Sequence, residues 1–239
     1  MKPLSNVWDI LLGENSMCTT LLLTGTFAAA VIDWLAVGKG WRRVELVAKP
    51  VTMIALFGYL MKSGGLAGPL LWFGLGVLLS LAGDVFLLFS ERWFIGGLLT
   101  FLLAHVFYIL GFNAPLPPLT IMGLGLAFVY AIMAARIYRR IATGLVEKGK
   151  AGLRMPVLVY SIVITIMLLS ATLILFRVDW TTGAAMLAFT GAALFFISDV
   201  ILAFNRFVQP VRYGRVINMA AYHLGQIALI MGVVLQFKV

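Results

Sequence analysis

Long stretches without a charged residue alternate along this chain with short segments that hold most of its lysines and arginines. From Met155 to Phe176 there is no charge at all. A helix needs about 20 apolar residues to cross the hydrocarbon core of a bilayer. Backbone polar groups must pair within lipid, so such runs form helices or the strands of a closed barrel. Barrel strands would alternate polar and apolar residues over about 10 positions, and these runs do not alternate. The pattern therefore predicts helices over Met17 to Val37, Val47 to Met61, Ala67 to Phe89 and Trp93 to Phe112 in the first half. In the second half it predicts Leu116 to Ile137, Met155 to Phe176, Thr181 to Phe204 and Val216 to Leu235. The expected fold is all-α: a polytopic bundle of about eight transmembrane helices in one integral membrane domain over residues 1–239. The connections are mostly short, so consecutive helices should pack antiparallel.

Composition strengthens this reading. The chain is 62% hydrophobic and 11% charged, where a soluble domain is about half apolar and roughly a quarter charged. A net charge of +9 would suggest nucleic acid for a soluble protein. Here the basic residues sit in loops, where they fix orientation instead. With the N-terminus outside, the inner segments hold Lys39, Arg42, Arg43, Lys49, Arg92, Arg136, Arg139, Arg140, Lys148, Lys150, Arg154, Arg206, Arg212 and Arg215. The outer segments hold only Lys2, Lys62, Arg177 and Lys238, a split of fourteen against four. The expectation is a multi-pass protein with both termini outside and basic loops in the cytoplasm, beside anionic headgroups. In a bacterium the membrane would be the inner one. A single cysteine, Cys18, excludes an intrachain disulfide. No cleavable signal is expected, because Lys2 is followed by Asp9 and Glu14 before any long apolar run.

The chain also repeats in outline. Gly83-Asp84-Val85-Phe86-Leu87-Leu88-Phe89 closes the third run, and Ser198-Asp199-Val200-Ile201-Leu202-Ala203-Phe204 closes the seventh. Lys49-Pro50-Val51 opens the second run as Met155-Pro156-Val157 opens the sixth, and Ala104-His105 in the fourth answers Ala221-Tyr222 in the eighth. Matches four helices apart share one orientation. They predict a parallel 4+4 duplication, with repeats over about 17–112 and 116–236, of a kind some transporters show.

The repeat singles out two carboxylates. An aspartate inside a span costs at least about 2.5 to 3.5 kcal/mol and normally faces the bundle interior with a function. Asp84 and Asp199 lie at matching depth in matching helices. Asp33, near the inner end of the first run, has no counterpart and reads as structural. His105 and Tyr108 share one helix face. Asn218, Tyr222 and Gln226 step by four along the eighth run, with His223 beside them. Ser80 precedes Asp84 by one turn, and Ser198 directly precedes Asp199. A lone histidine or tyrosine in a bundle more often closes an interhelical hydrogen bond than acts as a catalyst; His223, Tyr160 and Asn113 fit that plainer role. Lys49, at the inner mouth of its helix, could snorkel to the surface, pair with an aspartate or hold a phosphate. Gly74, Gly76, Gly83 and Gly191 read as close helix packing. With two histidines and no His-x-x-x-His or cysteine cluster, neither a metal nor another cofactor is expected. Phosphate-loop and nucleophile-elbow patterns are absent. On physics alone, paired aspartates in parallel repeats suit a small proton-coupled transporter as well as an enzyme, or a non-catalytic lipid-binding protein.

The motifs Lys49-Pro50, Ser80-x-x-Gly83-Asp84, Ala104-His105-x-x-Tyr108, Ser198-Asp199-x-x-Leu202-Ala203 and Tyr222-x-x-x-Gln226 occur in this order over the eight runs. Together they resemble the YhhN-like lysoplasmalogenase family of integral membrane hydrolases, from the second run onward. The resemblance implies hydrolysis of the vinyl ether bond of a lysophospholipid, giving a fatty aldehyde and a glycerophospho-headgroup, with Asp84 and Asp199 as the catalytic pair. His105, Tyr108, Tyr222, Gln226, Ser80 and Ser198 would then orient substrate and water, and Lys49 would bind the lipid phosphate. The partners expected are a lysophospholipid and the bilayer, and not nucleic acid. The chemistry is compatible: protonation of the β-carbon gives an oxocarbenium ion that water attacks, and two carboxyls can divide that labour as they do in glycosidases.

Overall fold

The computed structural model describes residues 14–89 and 91–238; Lys2 and Asp9 lie outside them. Eight long helices carry the fold: α1 Glu14–Lys39, α2 Arg42–Ser63, α3 Leu70–Leu88, α4 Phe94–Phe112, α5 Ile121–Glu147, α6 Arg154–Leu173, α7 Thr182–Ala203 and α8 Gly214–Phe237. Short 3-10 turns lead into α4 and α6 and extend α6, and a π turn, Phe204–Val208, extends α7. All eight are long and apolar enough to cross a membrane. Their burial pattern agrees. Asp33, Ser80, Asp84, His105 and Gln226 are buried, while Ile32, Leu99, Leu124 and Phe128 face outward, the arrangement a lipid solvent selects.

Two helices depart from the hydrophobic pattern. α2 begins at Arg42 rather than Val47, because Arg42 and Glu45, paired at 3.2 Å, continue the helix outward into the polar zone. Lys49 is therefore not at the helix mouth but about two turns inside it, and only 4% exposed. α5 begins five residues later than the pattern predicts. Pro117 and Pro118 keep their neighbourhood extended, and the Thr120 hydroxyl then caps the helix by accepting from the Gly123 amide at 3.0 Å. At its other end α5 runs on through Arg136, Arg139 and Arg140 to Glu147.

Consecutive helices pack on one another except α4 and α5; α4 packs instead on α6. The closest seam joins α7 and α8. A Cβ on Gly191 would strike the Leu229 backbone, and one on Gly225 would lie 2.8 Å from the Phe195 amide nitrogen. Only glycine lets these backbones approach so closely. The core contains Phe73, Tyr108, Phe112 and Phe195, and a smaller cluster of Phe94, Ile141, Leu145, Val157 and Phe207 ties down the end of α5. Beyond α6, Arg177 grips Asp179 at 2.6 and 2.9 Å. That hydrogen bonding holds the exposed Asp179 carboxyl below its ordinary range.

Candidate active site

The polar residues of the bundle interior converge at one end. There α1, α3 and α7 finish and α2 and α8 begin, and between them opens a cavity of about 350 Å³. Arg42, Glu45, Arg206 and Arg215 stand toward its mouth; Lys49, Asp84, Ser198, Asp199 and Tyr222 line its interior. The mouth is a web of ion pairs. Glu45 binds Arg42 at 3.2 Å and Arg215 at 3.0 Å, and Arg42 also donates to the Leu88 carbonyl. Arg206 pairs with Glu91 at 3.2 Å and lies 3.9 Å over the Phe94 ring.

Each aspartate has its own partners. Asp84, on α3, takes the Lys49 ammonium at 3.0 Å and the Tyr222 hydroxyl at 2.7 Å. Those groups come from α2 and α8. Asp199, on α7, is met at Oδ2 by the Tyr160 hydroxyl at 2.5 Å and by His105 Nε2 at 3.1 Å. Those groups come from α6 and α4. Both contacts converge on one oxygen, and among the described residues no hydrogen bond engages Oδ1. Asn218 donates to the Ser198 hydroxyl at 2.9 Å and to the Ser198 carbonyl at 2.6 Å, which fixes the residue beside Asp199.

Tyr108, Gln226 and Ser80 form a separate layer, one turn deeper. The Tyr108 hydroxyl donates to Gln226 Oε1 at 2.8 Å, and Gln226 Nε2 donates to Ser80 at 3.0 Å. All three are fully buried and none lines the cavity. Gly76 is what admits the Tyr108 ring, since a Cβ there would overlap it. Asp33 and His223 are also set apart. His223 Nδ1 accepts from Trp34 Nε1 at 3.1 Å and lies 4.0 Å from Asp33. Among the described residues no cluster of three or more His, Cys, Asp or Glu is placed to hold a metal.

A second, narrow and mostly apolar space of about 70 Å³ lies between α4, α5, α6 and α7. Leu98, Ile137, Ile164 and Phe196 line it, and it meets the polar cavity at Asp199, Leu87, Phe101, Leu202 and Arg206. Asp199 thus faces both spaces, and Asp84 only the polar one.

Arg42, Glu45 and Arg215 carry no site role in the sequence reading, which singles out Lys49 alone from this group. Arg42, Glu45 and Lys49 form a stripe at intervals of three and four on α2, and Arg215 extends the Asn218, Tyr222, Gln226 stripe outward. Those spacings mark one face of each helix and were available signals. Tyr160 gave none: it is a lone tyrosine, and only the packing of α4 on α6 brings it to Asp199.

A multi-pass membrane bundle with a carboxylate-lined cavity narrows the class of protein, and sequence comparison settles the family. The YhhN family model matches residues 44–233, most of the chain, so the protein belongs to the YhhN family. It is 27% identical over 201 residues to the lysoplasmalogenase TMEM86B of Mus musculus, covering 83% of this chain and 78% of that protein. It is 30% identical over 167 residues to the lysoplasmalogenase TMEM86A of Homo sapiens, covering 66% of this chain and 63% of that one. It therefore spans less than two thirds of the human protein's length. No solved structure matches the chain.

Proposed function

We propose that this protein is a membrane-embedded hydrolase that cleaves the vinyl ether bond of lysoplasmalogens, or of a closely related lysophospholipid, with Asp84 and Asp199 sharing the acid–base work. The observation that carries the reading is the meeting of an apolar space and a basic polar cavity at one carboxyl, Asp199. A lysoplasmalogen has the same division. Its phosphate headgroup is charged, its chain is hydrocarbon, and its vinyl ether lies at the junction.

The placement suggests which aspartate does what. Asp199 reaches the start of the chain, where the β-carbon must be protonated, so it is the acid, with Oδ1 as the donating atom. Tyr160 and His105 hold Oδ2 and aim the group. Asp84, in the polar cavity with Lys49 and Tyr222, takes a proton from water as that water attacks the oxocarbenium carbon. The hemiacetal so formed collapses: its hydroxyl proton leaves, the carbon–oxygen bond to glycerol breaks, and the freed alkoxide is protonated. The products are a fatty aldehyde and the glycerophospho-headgroup. Lys49 at the floor, with Arg42 and Arg215 at the mouth, would hold the phosphate by charge-assisted hydrogen bonds. Ser198 would help to position water; Tyr108, Gln226 and Ser80 would brace Tyr222 from below.

Two structural readings accompany this one. The arginine-rich end is taken as cytoplasmic, with both termini outside, on the strength of the loop charges. The halves are taken as parallel repeats, because Asp84 draws its partners from α2 and α8 while Asp199 draws its own from α6 and α4. The test is aldehyde release from lysoplasmenylethanolamine by the purified protein. Release is expected, with loss in Asp84→Asn and Asp199→Asn variants that elute and melt like the parent. Normal turnover by both variants would overturn the acid–base assignment.

A further inference from the structure

α5 is bound to the bundle differently from its neighbours. Its only buried residues, Ile141, Ala142, Gly144 and Leu145, lie near its cytoplasmic-side end. There it is pinned, since a Cβ on Gly144 would collide with the backbone of Phe207 and Val208. Toward the other face it stands off from α6. The two helices leave between them a groove of about 470 Å³, walled on the α5 side by alanines such as Ala127, Ala131 and Ala134. Apart from Arg139 the lining of this groove is uncharged. Ala134, Ser161 and Thr165 line both the groove and the apolar space that ends at Asp199. The two spaces therefore lie side by side with these residues between them, and together they reach from the reacting carboxyl to the lipid-facing side of the bundle.

We infer that the α5–α6 seam is a lateral exit through which the long-chain aldehyde passes into the bilayer after cleavage. The inference rests on the hydrolase reading above. The two products differ in kind. The glycerophospho-product is charged and fits only the polar cavity with its arginine mouth. The aldehyde has lost its headgroup, so nothing in it requires water and its chain already lies in the apolar space. A charged headgroup finds little to hold it on this route: apart from Arg139 the lining is uncharged, and α5 is pinned beyond it at Gly144. Ala134, at the join of the two spaces, sets the width of the exit.

The experiment fills that join. Ala134→Phe, in nanodiscs, should keep the first-turnover burst on a long-chain lysoplasmenylethanolamine while steady turnover falls about tenfold, because product release then limits the rate. A short-chain, water-soluble vinyl ether substrate should turn over as in the parent. Val129→Phe, on the outward face of the same helix, should change neither rate. An unchanged steady rate in Ala134→Phe, or equal loss of burst and steady turnover, would overturn the proposal. A second arm does not depend on hydrolysis. A long-chain alcohol bearing a diazirine on its chain should label α5 and α6 around Thr165 in the parent and lose that labelling in Ala134→Phe. Labelling elsewhere, or labelling unaffected by the substitution, counts against the exit. If the parent releases no aldehyde at all, the hydrolase reading falls, while the labelling still decides whether the seam admits a hydrocarbon chain.

Discussion

Asp84 and Asp199 stand at corresponding places on α3 and α7, but their surroundings differ in charge. Asp84 has a lysine at 3.0 Å and a tyrosine at 2.7 Å, and is fully buried at the cavity wall. Asp199 has a tyrosine at 2.5 Å and a histidine at 3.1 Å. No lysine or arginine among the described residues pairs with it, and its side chain remains 12% exposed. The contrast teaches how two similarly placed carboxyls can be fitted for two chemical ends. A carboxylate with its own cation is suited to remain a base. A carboxyl held by a tyrosine and an imidazole, with one oxygen left over, is suited to give up a proton and recover it.

Substitutions at matched positions can break this contrast. The largest effects should come from the aspartates: Asp84→Asn and Asp199→Asn should each lower aldehyde release by about 10² to 10⁴-fold, the usual share of a general acid or base. Retention of activity in either would end its proposed role. Next is Lys49→Met. Leaving the buried Asp84 without its cation should destabilise the protein by about 3–5 kcal/mol, read as a lower melting temperature in detergent. Lys49→Met combined with Asp84→Asn should recover much of that loss. His105→Phe should cost less, about 1–3 kcal/mol, because it removes a hydrogen bond rather than a countercharge. The two tyrosines sharpen the comparison further. Tyr160→Phe should slow turnover by about 10-fold and displace the arm of the pH–rate profile that belongs to the acid. Tyr222→Phe should slow it similarly but displace the arm of the base. If both displaced the same arm, the division of labour would be wrong. The smallest effects belong to the mouth. Arg42→Gln and Arg215→Gln should raise KM about two- to fivefold with kcat unchanged, as expected for partly exposed charges.

How much of this was legible beforehand depended on whether a feature was local. The eight spans were visible because a bilayer demands long apolar runs, and the ends of most helices fall within a few residues of those runs. Asp84, Asp199, Lys49 and the α8 stripe were visible because polar residues within spans are rare and helical spacing collects them on one face. The depth of Lys49 was hidden, since the charged Arg42–Glu45 turn reads as loop although it continues the helix. Tyr160 was hidden for a different reason. Short connections suggest that neighbours in sequence are neighbours in space, whereas α4 leans on α6 and leaves α5 at the margin. Nothing in the local pattern of α4, α5 or α6 specifies that exchange.

The Tyr108–Gln226–Ser80 layer bears on the protein's relation to the membrane as a whole. A bilayer that stores energy as a proton gradient is compromised by any continuous file of water through it. The hydrolysis proposed here needs water deep inside the bundle. Below the cavity, a ring hydroxyl, a carboxamide and a serine hydroxyl bond to one another at 2.8 and 3.0 Å, and beyond them the Phe73 ring stacks on Tyr108 and meets Phe112 edge to face. For the proposed hydrolase that layer would be an insulator: the site would fill from one side while the membrane keeps its voltage, and the chemistry would not turn the bundle into a leak.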